Sequence, residues 1–239
     1  MSFECTKHIR SLNFQVNQFD LKIEQLNQSG EHGTTVWDSS KVLSLFLIQM
    51  LNTRSKFEDR SNKYCLELGS GCGLAGLSAA STGVKTILTD LNHIVPLLKQ
   101  NISINKYGIE ERWAGYNMNQ QSTPLNYQDQ IQVRELNWLD FDKDQFEEIK
   151  FDYILAADCI YEIELIPPFL QAVIQFSSFK TQIFVSLEPR DPRVIDAFVE
   201  ESKKHGFSVV KIPRSKYPSP YNTLSAPCNM YKLKKTAKI

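Results

Sequence analysis

The sequence shows no surplus of charge of either sign: 27 Lys and Arg stand against 27 Asp and Glu in 239 residues. A protein that grips the nucleic-acid backbone needs clustered positive charge, so nucleic acid is not the expected partner. Long apolar runs are missing as well. The greasiest stretch, 42–51, is ten residues broken by Ser44 and Gln49, and a membrane-spanning helix needs about 20. No membrane association is expected. Residues 1–30 hold no continuous apolar block behind a basic start, so a secretory leader is not expected either. Cysteine is scarce and scattered: Cys5, Cys65, Cys72, Cys159 and Cys228 include no Cys-x-x-Cys pair. That spacing suggests neither a zinc site nor a disulfide framework. A reduced compartment follows as the simplest expectation, the cytoplasm first and the nucleus as an alternative. The four histidines, His8, His32, His93 and His205, fall on different predicted elements, so no histidine-built metal or catalytic site is expected.

What is present suits an ordinary folded chain. Apolar residues make up 42% and charged residues 23%, enough to bury a sizeable core. Leu12, Phe14 and Val16 alternate with polar neighbours, and Leu21 and Ile23 follow after Asn17-Gln18-Phe19-Asp20, which predicts a hairpin. Asp38 or Ser39 can cap a helix with the apolar stripe Val42, Leu43, Phe46, Leu47, Met50 and Leu51. From residue 63 the rhythm changes. Strands are predicted at 64–68, 84–89, 131–136, 151–156, 181–187, 207–212 and 228–233, with helices at 74–81, 93–105, 162–177 and 193–205. This alternation predicts an α/β fold, a doubly wound, mostly parallel seven-stranded sheet covered on both faces. The last strand is expected to be antiparallel, because only a loop with Pro213, Pro218, Pro220 and Pro227 precedes it. The stretch 116–130 carries seven Asn or Gln and reads as a mobile surface insertion. The whole, 1–239, reads as one domain: a hairpin and helix extension over 1–60 and the sheet core over 61–239.

The first core strand runs into Glu67-Leu68-Gly69-Ser70-Gly71-Cys72-Gly73-Leu74-Ala75-Gly76. Alternate glycines let a backbone approach a ligand and turn its N–H groups toward it. The next strand ends in Leu88-Thr89-Asp90, and a carboxylate there can accept both hydroxyl hydrogens of a ribose. Gly71-x-Gly73-x-x-Gly76 also matches the dinucleotide fingerprint, so a nicotinamide cofactor is the rival reading.

Five motifs follow one another: Val36-Trp37-Asp38, the loop from Glu67 to Gly73, Thr89-Asp90, Leu136-Asn137-Trp138, and Ala156-Ala157-Asp158-Cys159-Ile160-Tyr161. In this order, over residues 10–190, the chain resembles methyltransferase family 16. These are protein-lysine methyltransferases with a seven-strand sheet, including the enzymes for valosin-containing protein and Hsp70. The resemblance implies S-adenosyl-L-methionine as cofactor, no metal, and a protein substrate with a target lysine. It implies cofactor contacts at Trp37, Glu67, Gly69, Ser70, Gly71, Asp90, Trp138 and Ala157, and catalytic roles for Asp158 and Tyr161.

Methyl transfer to an amine needs alignment, exclusion of water and loss of the amine's proton. Asp158 and Tyr161 at the end of the fourth core strand suit that task, Asp158 as the group that positions the ammonium. The alternative for Asp158 is a helix cap. For Trp37 and Trp138 it is core packing. Glu188 and Arg190, after the fifth strand, read equally as substrate entrance or solvated turn. Other functions stay open: methyl transfer to RNA or a small molecule, or a noncatalytic cofactor-binding adaptor. A monomer is expected.

Overall fold

The alternation in 11–24 closes an antiparallel ribbon of β1 (Ser11–Val16) and β2 (Phe19–Glu24), with Leu12 opposite Ile23 and Phe14 opposite Leu21. All four side chains are buried. The structure, a computed structural model, describes residues 6–16, 19–26, 30, 32–54, 56–117, 130–222 and 227–236. Residues 17 and 18 of the expected turn lie outside these, and β2 already begins at Phe19.

The main sheet contains β3 (Tyr64–Leu68), β4 (Lys85–Asp90), β5 (Ile131–Glu135), β6 (Tyr153–Ala157), β7 (Gln182–Leu187), β8 (Phe207–Lys211) and β9 (Asn229–Lys235). Their spatial order is β5-β4-β3-β6-β7-β9-β8. β9 runs antiparallel to both neighbours and the pairs among β3 to β7 are parallel, as the sequence implied. The chain winds outward from β3 to β5 and then returns to the other side of β3 at β6. A crevice therefore opens between the carboxyl ends of β3 and β6, where such sheets bind ligands.

Helices cover both faces. α5 (Ile166–Phe176) and α6 (Pro192–Lys204) bury Phe169, Leu170, Val173 and Phe198 against Leu66, Ile154, Val185 and Leu233. On the other face, α1 (Asp38–Arg54) and α3 (Leu74–Ser81) bury Val42, Leu47, Ala75 and Ala79 with Leu155 and Phe184. The short α2 (Phe57–Arg60) follows α1. Among the described residues no helix is long and apolar enough to cross a membrane.

Two helix boundaries differ from expectation. The helix expected over 93–105 is α4 (Val95–Asn117). It continues through Gly108 because Ile109 and Trp113 are buried; the Trp113 indole donates to the Ala80 carbonyl at 3.0 Å. Burial of a large ring outweighs the roughly 1 kcal/mol that a mid-helix glycine costs. Residues 118–129 of the expected insertion lie outside the described residues. The helix expected from 162 begins at Ile166, after a 3-10 turn at Ile163–Leu165. Pro167 and Pro168 set this start, since proline fits only the first turn of a helix.

The ribbon packs on α4, and two buried asparagines fasten it. Asn105 Oδ1 accepts Lys22 N–H at 2.8 Å while its Nδ2 donates to the Lys22 carbonyl at 2.8 Å. Asn101 does the same for Glu24, at 2.8 and 3.0 Å. The two side chains thus stand in for a third strand. Asn101 Nδ2 also reaches the Cys72 carbonyl at 2.9 Å, which ties the ribbon to the glycine loop.

Candidate active site

The glycine loop is stitched to β4 by reciprocal bonds. Ser70 N–H donates to the Thr89 carbonyl at 2.9 Å, Thr89 N–H to Ser70 Oγ at 3.0 Å, and Gly71 N–H to Asp90 Oδ2 at 2.7 Å. Gly69 is left-handed (φ 64°), and a Cβ there would fall 2.6 Å from the Cys159 Cβ. Gly71 (φ 55°) would place its Cβ 2.9 Å from the Gly33 carbonyl oxygen. Only glycine lets the loop pass between the Cys159 turn and the 32–34 segment.

Glu67, an expected cofactor contact, is not among the residues that line the cavity. It is buried, lies behind the cavity wall, and its Oε2 accepts Gly76 N–H at 3.0 Å. Its carboxyl anchors the start of α3 beneath the loop. Burial pushes it up to about 8, against the opposing hydrogen bonds of Ser70 and Gly76.

Asp90 ends β4 with both carboxylate oxygens already oriented. Besides the Gly71 bond, Oδ1 accepts Leu91 N–H at 2.7 Å. Burial raises its carboxyl above the ordinary value and these two backbone bonds oppose the rise. Each oxygen retains a lone pair for a ligand hydroxyl. Trp138 packs edge-on to Phe169 (5.3 Å between centroids, 71°) and stands beside Gly69. The Trp37 indole donates to the His32 carbonyl at 3.0 Å. Lys7 Nζ and Arg190 Cζ lie 3.5 and 4.3 Å from its ring centroid.

These groups enclose one cavity of about 410 Å³, within the size range of cofactor sites. Of the ten site residues expected from the sequence, nine line it: Trp37, Gly69, Ser70, Gly71, Asp90, Trp138, Ala157, Asp158 and Tyr161. A glycine cradle, a paired-acceptor carboxylate and an indole in one cavity fit a nucleoside bearing an amino-acid tail. The sequence reading missed the wall formed by His32 and Gly33, although they lie only four and three residues before Val36. It also gave no role to Asn137 and Leu139, on either side of Trp138. Cys72 and Cys159 line the cavity as small packing residues. Burial raises the Cys72 thiol to about 12 and the Cys159 thiol well above its usual value, so neither is a ready nucleophile.

Asp158 directly follows β6 in the left-handed region (φ 56°), the one such non-glycine among the described residues. It caps no helix. Its Oδ1 accepts Glu188 N–H at 3.1 Å and its Oδ2 pairs with the Arg190 guanidinium. The Asp158 side chain is 2% exposed, that of Arg190 41%. Glu188 in turn accepts Asp38 N–H at 3.2 Å and faces Lys7 at 3.8 Å. Glu188 and Arg190 therefore back Asp158 from behind the cavity, which neither of them lines. Tyr161 is 39% exposed and rests against the His32 ring (4.8 Å between centroids). It precedes the 3-10 turn rather than starting a helix. Burial raises its phenol, which stays neutral.

Residues 15–207 match the family model described as lysine methyltransferase. Protein N-lysine methyltransferase METTL21A of Xenopus tropicalis is 29% identical over 198 residues, covering 83% of this chain and 80% of that protein. Protein-lysine N-methyltransferase EFM6 of Saccharomyces cerevisiae is 24% identical over 195 residues (75% and 72% of the two chains). EEF1A lysine methyltransferase 3 of Xenopus tropicalis is 25% identical over 181 residues (76% and 69%). Among solved structures, the T. thermophilus 16S rRNA methyltransferase RsmC superposes with a TM-score of 0.57 at 16% identity, covering 95% of this chain and 50% of that one. Magnesium protoporphyrin IX methyltransferase from Synechocystis gives 0.53 at 12% identity (83% and 80%). At these identities the superpositions speak to the fold alone.

Proposed function

The chain belongs to the lysine methyltransferase family, and from that premise we propose that its cavity brings together S-adenosylmethionine and a lysine side chain of a non-histone protein, to which the methyl group passes while S-adenosylhomocysteine leaves. The observation that carries this reading is the meeting of two kinds of group in one cavity. The glycine loop, Asp90 and Trp138 suit a nucleoside, while Asp158 and Tyr161 suit a cationic side chain.

When bound, S-adenosylmethionine supplies a sulfonium methyl group. Asp90 would accept from the ribose hydroxyls, Trp138 would flank the base, and the backbone of Gly69, Ser70 and Gly71 would line the amino-acid end. Trp37 and Ala157 line the cofactor side of the cavity. On the substrate side the difficulty is the proton. With a free pKa near 10.4, about one lysine in 2,500 is neutral at pH 7. The apolar Leu165 and Pro168 in the cavity wall favour the neutral amine by desolvation. A carboxylate has the opposite effect on a neighbouring amine, so Asp158 positions the incoming nitrogen and does not take its proton. Tyr161 at the mouth walls the channel against water. Action in the cytoplasm, as a monomer, is part of the same proposal; fractionation of cells and sedimentation of the purified chain test these two points.

The protein substrate is tested by incubating the enzyme with radiolabelled S-adenosylmethionine and a cytosolic extract, with nuclease-treated and protease-treated controls. A discrete band that survives nuclease and disappears with protease is expected. Label that follows nucleic acid instead would overturn the protein substrate, and no transferred label at all would favour a noncatalytic adaptor.

A further inference from the structure

Arg190 is a cation already paired with Asp158, a residue of the cavity wall. It lies in the turn Glu188-Pro189-Arg190 that follows β7. Its guanidinium pairs with Asp158 and lies over the Trp37 ring, 4.3 Å from the centroid. Carboxylate and indole face together recognise a cation by charge and by the ring quadrupole. The two ionic partners are unequally free. Asp158 is 2% exposed, held by Glu188 N–H and by its left-handed backbone. Arg190 is 41% exposed and reaches inward from solvent on a flexible stem. A buried carboxylate stripped of its partner is strongly destabilised. An amine approaching Asp158 therefore meets an occupied seat.

We propose that Arg190 is a resident stand-in for the substrate ammonium. It swings to solvent when a lysine enters and returns when the product leaves, so Asp158 is never unpaired. Arg190 thereby determines specificity. A small free amine must displace it using the one contact at Asp158. A lysine carried by a protein brings further contacts outside the cavity, which offset the exchange. This inference rests on Asp158 being the group that positions the amine.

The test uses n-butylammonium as a lysine side-chain probe. The protein is saturated with S-adenosylhomocysteine and ionic strength is held constant. The Nε–H resonance of Arg190, assigned by its loss in Arg190→Lys, should move toward the free-arginine position as butylammonium is added. Arg190→Met keeps an apolar stem over Trp37 without the charge. It should bind butylammonium roughly fivefold or more tighter than the parent, the scale set by removing a competing, partly exposed ion pair. Arg190→Lys should bind as the parent does, and adding Asp158→Asn to Arg190→Met should abolish the gain. An Arg190 resonance that stays put at saturating butylammonium would overturn the proposal. So would equal affinities in parent and Arg190→Met, including the case in which that variant only loses thermal stability. Failure of the transferase reading is seen separately, as absence of labelled protein in the extract assay, and leaves this binding result untouched.

Discussion

Asp90 offers the sharpest test of the cofactor assignment. Its two oxygens accept Gly71 and Leu91 N–H groups, each at 2.7 Å, and so are aimed before any ligand arrives. A ribose offers two hydroxyl donors to the remaining lone pairs. Hydrogen bonds to a charged group contribute about 1.5–3 kcal/mol, so Asp90→Ala should raise the dissociation constant for S-adenosylhomocysteine roughly 10- to 150-fold. Asp90→Asn should lose nearly as much. Whichever way its amide turns, the NH₂ faces one of the two backbone donors, and the charge is gone. Acidification provides an independent check. Because burial raises the Asp90 carboxyl above the ordinary value, protonation removes an acceptor at a higher pH than a free carboxylate would. Affinity in the parent should therefore fall as pH drops through that raised value, and the fall should be absent in Asp90→Asn. Titration calorimetry on folded variants, checked by circular dichroism, reads both effects. Affinity within twofold of the parent in Asp90→Ala, or tight binding of NAD by the parent, would refute the reasoning.

Trp138→Ala should weaken S-adenosylhomocysteine binding by at least about 0.5–1.5 kcal/mol, with Trp138→Phe regaining most of it; calorimetry giving equal losses for Ala and Phe would show that the ring face is not used. Asp158→Ala should keep cofactor affinity near the parent value and lose most of the single-turnover methyl transfer to the labelled extract protein, with Asp158→Asn also impaired; transfer at the parent rate would remove Asp158 from the site. Glu67 imposes a pH slope on stability. Its carboxyl ordinarily titrates near 4.5 and in the fold near 8, so its contribution is full below about 4.5 and is lost as pH rises toward about 8. Denaturant unfolding of Glu67→Gln should show a flatter pH dependence over that window, and identical slopes would contradict the burial argument. Asn101→Ala removes three hydrogen bonds and leaves Glu24 N–H and the Cys72 carbonyl short of partners. It should cost roughly 2–4 kcal/mol in urea unfolding, and a loss under about 0.5 kcal/mol would mean water replaces the side chain.

The strands, the glycine loop and the acid after β4 were legible because each is local. Apolar runs of five or six residues bounded by turns mark buried strands, and the Gly69-x-Gly71-x-Gly73 spacing marks a loop that no other residue can form. The register of function along the chain was legible too, since the motifs at residues 90, 138 and 158 come from the carboxyl ends of β4, β5 and β6, with Trp37 just before α1. What escaped were partnerships between distant positions. The pairing of Asp158 with Arg190 spans 32 residues and leaves no periodic trace. Nothing near Asn101 announces a partner in a ribbon 77 residues earlier. Helix α4 runs past the expected end at 105 and through Gly108. The anchor that overrides it, Trp113, is buried against α2 and α3, which local pattern does not reveal. The family resemblance implies a cofactor contact for Glu67, and β3 directs its side chain to the start of α3.

The asparagine pair on α4 also bears on how the molecule opens. The outward N–H groups of Lys22 and Glu24 sit on the free edge of a two-stranded ribbon, where amides ordinarily exchange fast with solvent. Sequestered by Asn105 and Asn101, they exchange only when the ribbon lifts from α4. Lifting it also releases the Cys72 carbonyl at the foot of the glycine loop. Ribbon and loop therefore form one cooperative opening unit. Ligand held by the loop should slow deuterium uptake at Lys22 and Glu24, so a surface hairpin reports on the occupancy of the cavity.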